Sequence, residues 1–117
     1  MKTIGIVGSR RRDSMEDYKL CEKKFLELYE EGDKIVSGGC PKGGDRFAEM
    51  IADLRDIPIK IHKAEWDKYG KAAGFKRNTY IAEDADVIIA VVAADRTGGT
   101  EDTLRKAEKM GKTIYLV

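Results

Sequence analysis

Five short apolar runs punctuate the chain: Thr3–Val7, Lys34–Ser37, Ile57–Ile61, Asp86–Val92 and Thr113–Val117. Thr3–Val7 is β-rich and uninterrupted, and Asp86–Val92 is the most apolar run and should be central. Runs of this kind predict strands covered on both faces, as in a parallel sheet. Between them, apolar residues recur at spacings of three and four, which predicts amphipathic helices. Tyr18, Cys21, Phe25 and Leu28 form one such stripe. Ser14, with Asp17 three residues on, predicts the start of that helix, and Gly32 predicts its stop after about Glu31. A second helix is expected from Asp45, carrying Phe47, Met50, Ile51 and Leu54 inward. A third covers Ala73–Glu83, with Phe75, Thr79 and Ala82 inward. A fourth runs from Thr100 to Met110 and stops at Gly111. His62 to Ala73 reads as an irregular segment, long for a connection in an α/β unit.

Strands alternating with helices predict a doubly wound, three-layer α/β/α fold with a five-stranded parallel sheet of order 3-2-1-4-5. That order sets strands 1 and 4 side by side. In such sheets ligands bind beyond the carboxyl ends of the strands, at this switch point. Glycine-rich turns follow strands 1, 2 and 4, so Gly8-Ser9-Arg10, Gly38-Gly39 and Gly98-Gly99-Thr100 are expected along one rim. Tight strand-to-helix turns explain glycines in any one loop. Three such loops on one edge, with Ser9, Arg10 and Thr100 among them, predict an anion-binding site served by backbone N–H groups and helix N-termini. Neither the Walker A pattern nor Gly-x-Gly-x-x-Gly is present, so this expectation rests on placement.

The 117 residues suit one domain. The 22 basic and 21 acidic side chains leave a net charge of +1, which sets aside a strongly electrostatic nucleic-acid binder. No apolar stretch approaches the length of a membrane span, and no signal peptide is read at the start. Cys21 and Cys40 lack metal-site spacing and His62 is the sole histidine, so no metal site is expected and no cofactor is required. Unpaired cysteines of this kind predict a reduced, cytoplasmic setting.

Several polar residues have two readings each. Asp45 is either a helix cap or a partner for a ribose hydroxyl. Arg77 and Asn78 lie on a solvated helix face or close over an anion. Trp66 and Tyr69 either cover the sheet or stack on a base. His62 is a strand-end residue without a catalytic role, and Cys21 is a core residue.

Gly8-Ser9-Arg10, the run from Ser37 through Gly38-Gly39-Cys40-Pro41-Lys42-Gly43-Gly44-Asp45 to Glu49, Trp66 to Gly74, Arg77-Asn78, and Gly99-Thr100 before a helix occur in this order across nearly the whole chain. Together they resemble the YspA-like branch of the SLOG superfamily. Cys40 and Gly44 stand where that branch usually has alanine. The resemblance implies a Rossmann-like domain that binds a nucleotide or nucleotide-derived ligand, with sensing as one role, and a homo-oligomer. Gly8, Ser9, Arg10, Gly38, Gly39, Asp45, Trp66, Arg77, Asn78, Gly98, Gly99 and Thr100 are then the expected ligand residues. The related phosphoribohydrolases offer an alternative, cleavage of the N-glycosidic bond of nucleoside monophosphates. Their Gly-Thr-x-x-Glu motif places Thr103 at the glutamate position here. Arg77, Glu101 and Asp102 would then be the catalytic candidates. A single-strand DNA-binding relative shares the Gly-Ser-Arg and Ser-Gly-Gly turns and supplies a second alternative, against which the near-neutral charge argues.

Overall fold

A computed structural model describes all residues from Met1 to Val117. Its strands are β1 (Thr3–Gly8), β2 (Lys34–Ser37), β3 (Ile59–Ile61), β4 (Val87–Val91) and β5 (Thr113–Leu116). All pair in parallel in the order β3-β2-β1-β4-β5. The expected sheet and its order are therefore present. The helices are α1 (Met15–Leu28), α2 (Gly44–Arg55), a short α3 (Trp66–Tyr69), α4 (Ala73–Asp84) and α5 (Gly99–Lys109).

Two cores sandwich the sheet. Ile4, Ile6 and Ile35 pack with Phe25 of α1 and with Phe47 and Ile51 of α2 on one face. Val7, Val36 and Ile88 pack with Ile81 of α4 and Leu104 of α5 on the other. Alternate residues of β1 thus serve opposite faces, as the pleat of a strand dictates. Burying side chains of this size stabilises by roughly 1.5–3 kcal/mol each, which makes these two layers the main hold on the fold.

Ser14 caps α1 through the expected box. Its hydroxyl accepts from the Asp17 N–H at 3.1 Å, and Asp17 accepts from the Ser14 N–H at 3.3 Å. Helix α1 ends three residues before the expected Glu31, because Tyr29 leaves the helix in an extended conformation. β3 is shorter than expected. Ile57 is buried behind the left-handed Asp56 that closes α2, and Pro58 offers the ladder a carbonyl, to Ile35, but has no N–H. The segment His62 to Ala73 is not irregular throughout; it holds α3 and a 3-10 turn, Gly70–Ala72.

Two inward placements fail. Leu54 is 69% exposed and Phe75 is 57% exposed. Both lie in a terminal turn of their helices, and Ile51 and Ala52 on α2 and Ile81 and Ala82 on α4 are buried instead. No helix is long and apolar enough to cross a membrane.

Candidate functional site

The turns after β1, β2 and β4 lie together at the carboxyl edge of the sheet, around an open cavity of about 900 Å³. The β1 turn brings Gly8, Ser9 and Arg10, the β2 turn brings Gly38 and Gly39, and Gly98, Gly99 and Thr100 close the β4 side. Asp45, Trp66, Arg77 and Asn78 line the remaining wall. The structure thus brings together every residue expected to hold a ligand.

The three consecutive arginines diverge. Arg12 turns inward and donates to the carbonyls of Val92 and Val117, and it pairs with Asp17. Arg11 spans to the β4 loop, donating to Asp95 at 2.8 Å and to the Thr97 hydroxyl at 2.9 Å. That contact, with help from Thr97, holds the Asp95 carboxyl well below its usual range. Arg10 lines the cavity, is exposed and makes no side-chain hydrogen bond or ion pair within the protein.

Backbone donors are distributed unevenly. The Ser9 N–H, expected to be free, donates to the Val91 carbonyl at 2.9 Å. Ser9 can therefore serve a ligand only through its hydroxyl, which already accepts from the Arg11 N–H at 3.1 Å. The N–H groups of Gly38, Gly39 and Gly98 have no protein acceptor. Those of Gly99 and Thr100 belong to the first turn of α5, where helices leave their donors unmatched.

The glycines divide in the same way. A Cβ on Gly44 would lie 2.3 Å from the Val7 carbonyl carbon and 2.4 Å from the Gly8 nitrogen. Gly44 is thus required for the packing of α2 on the end of β1. Around Gly98 and Gly99, by contrast, nothing lies within 4 Å of the Cβ position, so a ligand has room to approach their backbone.

Asp45 is not a cap. Gly43 holds that position, without a side-chain contact to the helix. Asp45 is buried beneath the β2 turn, where Oδ2 accepts from the Cys40 N–H at 3.1 Å and Oδ1 lies 3.0 Å from Ser37 Oγ. That hydroxyl also donates to the Ile6 carbonyl at 2.6 Å. The hydroxyl has a single proton to share between Asp45 Oδ1 and the Ile6 carbonyl. Burial pushes the Asp45 carboxyl up, and the Cys40 N–H, Ser37 and Arg77 oppose this in part.

Arg77 and Asn78 are not on a solvated face. Arg77 Nη1 donates to the Gly38 carbonyl at 2.8 Å and Nε donates to Asn78 Oδ1 at 2.9 Å. Asn78 is buried and donates in turn to Asp102 at 3.2 Å and to the Gly99 carbonyl at 3.3 Å. This chain links the β2 turn to the start of α5. The polar Asn78, odd within an otherwise good helix, is explained by it.

Of the catalytic candidates, only Arg77 lines the cavity. Glu101 is engaged by both Nε and Nη2 of Arg96, at 2.9 and 3.0 Å. Asp102 is buried and held by Lys106 at 2.8 Å and by Asn78. Thr103 does line the cavity, as does the exposed Trp66. Cys40 reaches the cavity wall, whereas burial pushes the Cys21 thiol up to about 12.

Several lining residues were not expected at the site, among them Lys63, Lys71, Thr97 and Phe75. Lys63 follows the end of β3 on the same edge as the glycine turns, and that position was its available signal. Lys71 sits in the 3-10 turn, within the Trp66–Gly74 segment that carries the resemblance. With Arg10, Arg11 and Arg77 they make five cationic side chains around the cavity, against one carboxylate, Asp45. A nearly neutral chain thus carries a locally positive cleft.

The Gene 61 protein of Mycobacterium phage D29 is 31% identical to this chain over an alignment of 120 positions, which covers 95% of this chain and 92% of the phage protein. The chain belongs to the family of that phage protein. No family model matches the chain, and no solved structure matches it. Membership in the Gene 61 family therefore brings a second sequence of nearly the same extent, and the chemistry must be read from the cleft.

Proposed function

We propose that this protein binds a nucleotide or nucleotide-derived ligand at the carboxyl edge of its sheet, as a YspA-like member of the SLOG superfamily. One observation carries the reading. A cavity of about 900 Å³ at the β1/β4 switch point combines five cations, unmatched backbone N–H groups and an exposed tryptophan. Cations and N–H groups suit phosphate, and an indole face suits a base. The volume falls in the range usual for small-molecule pockets, roughly 300–1,000 Å³.

Binding without hydrolysis is the better reading of the same site. Cleavage of an N-glycosidic bond needs a carboxylate at the reacting carbon to stabilise an oxocarbenium-like transition state. Glu101 and Asp102 are tied to Arg96 and Lys106, and Thr103 stands on the cavity wall. Calorimetric titration with nucleoside mono-, di- and triphosphates tests the proposal, with saturable binding expected for at least one. Absence of binding across such a panel overturns it. Release of free base, followed by chromatography, would replace a binding role with a hydrolytic one.

A further inference from the structure

We infer that the ligand carries two or more phosphate groups, held in two separate anion subsites along the sheet edge. This rests on the nucleotide reading above and narrows it to nucleoside polyphosphates or dinucleotides joined through a pyrophosphate.

The first subsite lies over β2. Gly38 and Gly39 present N–H groups without protein acceptors. The Lys63 side chain runs beside them, with Cγ 3.6 Å and Cε 4.0 Å from the Cβ position of Gly39. Lys63 is exposed, lines the cavity and makes no ion pair or hydrogen bond within the protein. Arg77 is fixed alongside by its bond to the Gly38 carbonyl.

The second subsite lies over β1 and β4. The unpaired Arg10 guanidinium and the Ser9 hydroxyl line the same cavity as Gly98, Gly99 and Thr100. The Arg11 bridge to Asp95 and Thr97 fixes the two loops relative to each other, so this subsite is formed before a ligand arrives.

The spacing of the strands separates the two. Adjacent strands lie about 4.8 Å apart, so the turns of β2 and β4, with β1 between them, are roughly 10 Å apart. A phosphate oxygen accepts charge-assisted hydrogen bonds at about 2.7–2.9 Å. One phosphate cannot satisfy donors on both sides, whereas two or three joined phosphates can. The single lining carboxylate does not offset the cations at either subsite, because Asp45 is buried with its oxygens engaged by Cys40 and Ser37.

Trp66 is the only tryptophan, so its fluorescence reports ligand arrival directly, with calorimetry as the second readout. The probes are a nucleoside monophosphate, its triphosphate, a dinucleotide joined through a pyrophosphate, and inorganic pyrophosphate. The triphosphate or the dinucleotide should bind at least about tenfold tighter than the monophosphate. Lys63→Ala and Arg10→Ala, both at exposed positions, should each remove most of that advantage. A preference for the triphosphate assigns a terminal chain of phosphates, and the reverse assigns a bridging one; either supports two subsites. Equal affinity for mono- and triphosphate overturns the inference and leaves nucleotide binding intact. Pyrophosphate alone binding as tightly as the triphosphate keeps the subsites and removes the base. Failure of every probe overturns the nucleotide reading itself, and this inference with it.

Discussion

Arg77 donates to the carbonyl oxygen of Gly38 at 2.8 Å, fastening α4 to the turn that closes β2. The two residues are so close that a Cβ on Gly38 would lie 2.6 Å from Arg77 Nη1 and 2.8 Å from Asp45 Oδ2. Gly38 is the space in which the guanidinium sits.

Gly38→Ala should therefore displace the flexible Arg77 guanidinium, and its pressure on the buried Asp45 Oδ2 should cost some stability as well. Arg77→Lys should act alike, because one ammonium cannot reproduce the fork that spans the Gly38 carbonyl and Asn78. Each is expected to weaken nucleotide binding by about tenfold, or about 1.4 kcal/mol, in calorimetric titration. Wild-type affinity in Arg77→Lys would remove the fork from the account.

Arg10→Ala tests the cavity from the opposite side. The side chain is exposed and unpaired, so the melting temperature should not change. A charge-assisted hydrogen bond contributes about 1.5–3 kcal/mol, so loss of roughly ten- to a hundredfold in affinity is expected. Unchanged affinity for a bound nucleotide rules out Arg10 as a ligand contact.

Gly44→Ala should behave in the contrary manner. Its Cβ meets backbone atoms of Val7 and Gly8, which cannot swing aside. Overpacking typically costs about 1–3 kcal/mol, and a backbone clash of this depth should reach or exceed the upper figure. Denaturant unfolding monitors it; a midpoint equal to that of the wild type would mean that α2 can draw back from β1 without loss.

Acid should destabilise the fold through Asp33 and Asp102. Burial pushes both carboxyls up. Lys2, with the Lys2 and Glu30 N–H groups, outweighs this at Asp33, and Lys106 and Asn78 outweigh it at Asp102. Both end below the ordinary value of 3.8. Their stabilisation is present above that value and is lost as pH falls through the lower folded-state values. Asp45 has the opposite sign: its carboxyl is raised, so the stability its neutral form contributes is present at low pH and declines as pH rises through the folded-state value. Asp13, Asp17 and Asp95 are held low as well and Asp45 is the one carboxyl raised, so the melting temperature should fall on acidification below about pH 4. Asp33→Asn should lower stability at neutral pH and flatten that acid limb; an unaltered limb would assign the acid sensitivity elsewhere.

Much of the cleft was legible because it follows from strand order. Gly8, Gly38 and Gly98 are far apart along the chain, yet parallel strands joined by right-handed crossovers bring their turns to one edge. Lys63 obeys the same rule, but a lysine after a strand carries no local signal of the kind a glycine pair does. Phe75 misled for a related reason. An aromatic on a helix is expected inward, and here the first turns of α4, which hold it, line the cleft.

The sequence by itself determined the layers, the order of the strands and the edge at which the three turns meet, because periodicity and crossover handedness are local or nearly local properties. Only the tertiary structure decided which groups at that edge are free. The Ser9 N–H is taken by Val91, Arg11 by Asp95 from 84 residues away, and Asp102 by Asn78 from 24 away, whereas Arg10 and Lys63 are left without partners. Whether a donor is already matched depends on atoms that folding brings alongside, and a hydrogen bond tolerates only a few tenths of an ångström in distance. That selection turns three ordinary glycine turns into a cleft with room and charge for a ligand.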